Sequence, residues 1–85
     1  MKTFKAYTLH NANATEADVP VATVWWDGHK LCSTNDAILK RLKQQTANGL
    51  DYSAGEEFFA QIPRIYKSGY LYVKKTQVDE NGKPV

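Results

Sequence analysis

The chain reads as one small α+β domain, a small antiparallel sheet of about four strands in the order β-β-β-α-α-β with two short helices packed on one face. Three observations predict it. Residues 2–9 and 70–78 are rich in β-branched and aromatic types and contain neither Gly nor Pro, the composition of strands. Ile38, Leu39 and Leu42 recur at helical spacing between them. Eighty-five residues supply one hydrophobic core and not two.

Taken in order, the first strand is Lys2–Leu9. Residues 10–20 are small and polar, lack any period and end in Pro20, so they predict a flexible loop. Val21–Trp26 is a second strand. Asp27-Gly28 then carries the two-residue type I′ hairpin signal, and His29–Cys32 returns as the third strand. Ser33, Thr34, Asn35 and Asp36 offer side-chain oxygens to cap a helix whose stripe is Ile38, Leu39, Leu42 and Thr46, and Asn48-Gly49 predicts its stop. Ser53 and Glu56 have capping-box spacing ahead of a second helix with Phe58, Phe59 and Ile62 on its core face, ended by Pro63. Ile65 and Tyr66 continue as a loose turn, and Lys67-Ser68-Gly69 breaks the chain before the last strand, Tyr70–Val78, which pairs near the N-terminus. The domain is therefore expected to occupy 1–78, with 79–85 a frayed tail.

Composition narrows the function classes. Hydrophobic residues at 42% and a net charge of +2 exclude disordered, collagenous and supercharged chains. A chain this short buries about 60–65% of its unfolded surface and has little room for a deep catalytic cavity. One cysteine, Cys32, cannot form an intrachain disulfide, which points to a reducing cytoplasm. The N-terminal residues lack a signal-peptide apolar run, and Val24-Trp25-Trp26 stops at Asp27, so neither secretion nor membrane insertion is expected.

The reactive residues do not assemble a known chemistry. Asp27, His29 and Cys32, with His10 added, lack the paired ligand spacing of structural zinc, and His29 and Cys32 fall on opposite sides of a strand. Cys32 precedes a helix, but no oxyanion donors and no Gly-rich turn surround it, so it reads as a small buried cysteine rather than a nucleophile. Glu56 and Glu57 diverge by roughly 100° on a helix and cannot flank one bond. The scattered glycines have no phosphate-loop spacing. No catalytic residue, metal or cofactor is expected.

The surface is more informative. Between Lys30 and Lys75 eight basic residues face four acidic ones. Alternation sets Tyr70, Tyr72 and Lys74 on one face of the last strand. The candidate partner face is thus Trp25 or Trp26, Arg64, Lys67, Tyr70, Tyr72, Lys74 and Lys75. Adjacent in a strand, the two tryptophans point to opposite sides, so one is core and the other joins the outer patch. Aromatic and basic groups together mark protein interfaces, including self-dimers. The expected function is a small non-enzymatic cytoplasmic protein-interaction module. The alternative is weak binding of single-stranded nucleic acid, with bases on the tyrosines and phosphates on the cations.

Overall fold

A computed structural model describes the backbone of residues 2–11, 19–66 and 71–85. Most of the expected loop at 10–20, and Lys67 and Tyr70 of the candidate face, lie outside the described residues. The elements are β1 (Phe4–Asn11), β2 (Ala22–Trp26), β3 (Leu31–Ser33), α1 (Asp36–Lys43), β4 (Thr46–Ala47), β5 (Leu50–Asp51), α2 (Glu56–Phe59), α3 (Ile62–Ile65) and β6 (Leu71–Val78). A 3-10 turn at Tyr52–Ala54 precedes α2.

The main sheet is antiparallel with strand order β3-β2-β1-β6, so the last strand closes against the first, from Phe4↔Val78 to Asn11↔Leu71. The α+β class follows from sequence as expected. The helices lie on one face because alternation sends Leu9, Val24 and Leu31 to that side, where they bury with Ile38, Leu42, Phe58, Phe59 and Ile62. Helix α1 starts where its cap dictates: the Asn35 carboxamide oxygen accepts the Ala37 and Ile38 amides at 2.9 and 3.3 Å.

Several local expectations are corrected. β1 runs two residues past Leu9, so His10 and Asn11 are strand rather than loop. Asp27-Gly28 is not a type I′ turn, because Gly28 takes φ 98° while Asp27 stays at negative φ. The Asp27 carboxylate instead accepts the His29 and Lys30 amides, both at 2.8 Å, and organises a four-residue loop. The turn with both central residues at positive φ is Asn48-Gly49, at 53° and 79°, joining β4 to β5. Thr46, expected on the helix stripe, accordingly sits exposed in β4.

Ser53 and Glu56 form no capping box. Asp51 caps the 3-10 turn by accepting the Ser53 amide at 3.0 Å, and α2 has no side-chain cap. Pro63 does not end a helix but stands in the first turn of α3, where a missing N–H costs nothing. Among the described residues, α1 is the first expected helix, and the two short segments α2 and α3 stand where the second was expected.

The segment 79–85 also departs from expectation. Instead of fraying it turns back onto β6: Asp79 donates its amide to the Lys83 carbonyl at 2.9 Å, and its carboxylate accepts the Asn81 and Lys83 amides. Pro84 then bridges Val78, and the Val85 amide reaches the Gln77 carbonyl at 3.2 Å.

Candidate functional site

The face of the sheet away from the helices is built by the even-numbered residues of β1 and β6: Phe4, Ala6, Thr8 and His10 opposite Val78, Thr76, Lys74 and Tyr72. The two ends of this face differ. At one end Ala6, Val78 and Trp25 form a second small core, with Phe4 and Cys32 at its margin. Gly82 covers it. A Cβ at position 82 would lie 2.5 Å from the Trp25 ring, so the C-terminal turn closes only with glycine there, at φ 80°.

At the other end the side chains are polar and aromatic. The His10 and Tyr72 rings stack at 5.1 Å with 17° between their planes. Lys74 places its ammonium 5.7 Å from the Tyr72 centroid, within cation–π range. The Thr8 hydroxyl and His10 Nε2 share a hydrogen bond of 2.8 Å, and that hydroxyl also approaches the Lys74 carbonyl at 3.5 Å. His10 is only 4% exposed, so the stack is anchored from beneath by a buried imidazole.

The structure brings together part of the predicted face and disperses the rest. Tyr72 and Lys74 are neighbours as expected. Lys75 is exposed on the opposite side of β6, beside Tyr7. Arg64 lies on α3, exposed on the helical side near Gln45 and Asn48, whereas Tyr72 is on the other face of the sheet. Trp25 is 7% exposed beneath Gly82 and is not available as an outer patch. Trp26 packs on the helical side, its ring so close to Gly55 that a Cβ there would come within 2.9 Å. Each tryptophan is thus matched to a glycine, and neither joins Tyr72.

Sequence reading missed His10 and Thr8. Their signal was the alternation Phe4, Ala6, Thr8, His10, which continues one strand face past the point where composition turns polar.

The thiol end of the sheet has a different electrostatic character. Asp27 is held below its ordinary range by the Lys30 and His29 amides, and its carboxylate sits 3.6 Å from Cys32 Sγ. Burial, and then that neighbouring negative charge, push the Cys32 thiol up from its ordinary value. A thiolate nucleophile needs the reverse. His29 is exposed in the loop, while His10 faces Tyr72 on β1. Among the described residues no three His, Cys, Asp or Glu side chains converge. No described helix is long and apolar enough to cross a membrane.

A groove beside the β1–β6 pair is lined by Lys5, Tyr7, Lys75, Gln77 and Val85. Comparison of this chain with protein-family models, with curated proteins and with solved structures returned no match.

Proposed function

We propose that the chain acts as a small non-enzymatic module of the reducing cytoplasm that engages a protein partner through β6. One observation carries the reading: half-exposed Tyr72 is held between buried His10 and exposed Lys74 on the sheet face away from the helices. A tyrosine with its rotamer already set by neighbours loses little freedom on binding, and aromatic residues flanked by cations are what protein interfaces concentrate at their centres. The lone, protonated Cys32 fits a compartment without disulfides.

The nucleic-acid alternative needs an aromatic face for bases. Among the described residues of β6, the Tyr72 ring is already engaged by the His10 imidazole and the Lys74 ammonium, and Lys75 lies on the opposite side of the strand, so rings and cations do not form one surface for bases and phosphates. The test is an amide NMR titration with mixed-sequence single-stranded oligonucleotides at about 50 and 200 mM salt, a range over which several phosphate contacts weaken markedly. The expected result is no saturable shift. Shifts at Tyr72–Lys75 that fade at the higher salt overturn the protein-partner reading in favour of nucleic acid.

A further inference from the structure

We infer that the outer edge of β6, over Leu71–Lys75, takes an extended acidic peptide segment as an additional antiparallel strand, an inference that rests on the protein-partner reading of β6. The backbone gives the geometry. The Gln77 carbonyl points outward, where it accepts the Val85 amide, and the Lys74 carbonyl points inward, where the Thr8 hydroxyl reaches it from β1. Backbone groups alternate sides along an antiparallel strand, so Leu71, Val73 and Lys75 direct N–H and C=O outward while Tyr72 and Lys74 bond to β1.

The edge already pairs with an extended segment at one end. Pro84 and Val85 lie along Val78 and Gln77, and among the described residues nothing else pairs with the outer side of β6. The tail therefore bounds the open stretch at Thr76. An edge whose outward N–H and C=O groups at Val73 and Lys75 have no strand beside them among the described residues is the template on which strand addition works, the added chain gaining its affinity from main-chain hydrogen bonds.

The lysines select the occupant. Lys74 projects on the Tyr72 face and Lys75 on the helical face, both exposed, so an added strand meets a cation on each side. Lys5 stands in the groove next to Lys75 and strengthens the positive field there. Opposite charges facing across a strand pair are favourable and like charges are not. A second copy of β6 fares worse, since antiparallel pairing centred on Lys74 sets the two Lys74 side chains face to face.

The probe is a blocked ten-residue peptide of valine and threonine with two adjacent central glutamates, added at millimolar concentration to labelled full-length protein. Two companions accompany it, one with lysines for glutamates and one methylated at each central backbone nitrogen. The inference expects shifts and gained exchange protection at the Val73 and Lys75 amides, about tenfold weaker binding of the lysine peptide, and no binding of the methylated one. It also expects the double variant K74E/K75E, checked for a folded spectrum, to prefer the lysine peptide.

An edge that takes none of the peptides is merely guarded by its lysines, and overturns the inference. Protection of Val73 and Lys75 in concentrated protein alone overturns it in favour of a second copy, and the same protection by an oligonucleotide does so in favour of nucleic acid. Equal binding of the methylated peptide, with shifts at Thr8, His10, Tyr72 and Lys74, overturns strand addition but leaves the Tyr72 face as a protein-binding surface.

Discussion

Gly82 lies against the Trp25 indole so closely that a Cβ at 82 would stand 2.5 Å from Cη2 and 2.6 Å from Cζ3 of the ring. This contact closes one end of the sheet face that lies away from the helices. It puts the Trp25 end of that face under the C-terminal turn, four β1 residues or about 13 Å from the end where His10, Tyr72 and Lys74 lie together, the end proposed above to meet a partner.

Gly82→Val is accordingly expected to lower stability by about 2–4 kcal/mol, from overpacking against Trp25 together with strain at positive φ. Urea unfolding followed by tryptophan fluorescence measures it. An unchanged midpoint and emission maximum would mean that the turn does not pack on the indole.

The second glycine prediction concerns the β4–β5 turn. Gly49→Val places a β-branched residue at φ 79° and is expected to cost about 1–2 kcal/mol, whereas Asn48→Gly stays within about 0.5 kcal/mol. Thermal melts of the two variants check this. Equal midpoints contradict a type I′ turn at this position.

Acid sensitivity follows from three aspartates that organise turns. Asp27 is held below the ordinary value of 3.8 chiefly by the Lys30 amide, and Asp79 chiefly by the Lys83 amide. The Ser53 hydroxyl does the same for Asp51. A carboxylate with a depressed folded pKa contributes stability that is complete above its unfolded value and lost as pH falls through the folded one. Stability should therefore fall as pH drops below about 4. In the triple variant D27N/D51N/D79N, whose carboxamides still accept amide hydrogen bonds, the dependence is expected to flatten. Denaturant midpoints from pH 6 to 2 measure it, and parallel profiles for the two proteins would contradict the assignment.

Cys32 should alkylate slowly. Burial and the Asp27 carboxylate both favour the neutral thiol, so iodoacetamide at neutral pH should modify it more slowly than free cysteine, and Asp27→Asn should speed the reaction. Labelling faster than free cysteine would revive the nucleophile that the geometry argues against.

The parts of the fold that sequence made legible are those set by local chemistry. The strand composition of β6, the Asn35 cap and the apolar stripe of α1 need no distant partner to be recognised. What stayed hidden depends on residues far apart in the chain. Asn48-Gly49 suits a helix stop or a hairpin equally well, and only the pairing of Thr46 with Asp51 decides between them. Residues 79–85 carry almost no apolar surface of their own and become ordered because Trp25, on β2, waits for a glycine. The candidate site was half legible for the same reason. Tyr72 and Lys74 share a strand, but His10 joins them only through the β1–β6 register.

The outer edge of β6, with no strand beside Leu71–Lys75 among the described residues, is the feature on which strand addition turns, and native-state amide hydrogen exchange along this strand in the free protein tests it most directly. The account predicts alternation: slow exchange at Tyr72, Lys74 and Thr76, whose amides bond to β1, and fast exchange at Val73 and Lys75, whose amides face outward. Protection at Val73 and Lys75 equal to that at Lys74 would mean that the edge is already covered, and would contradict it.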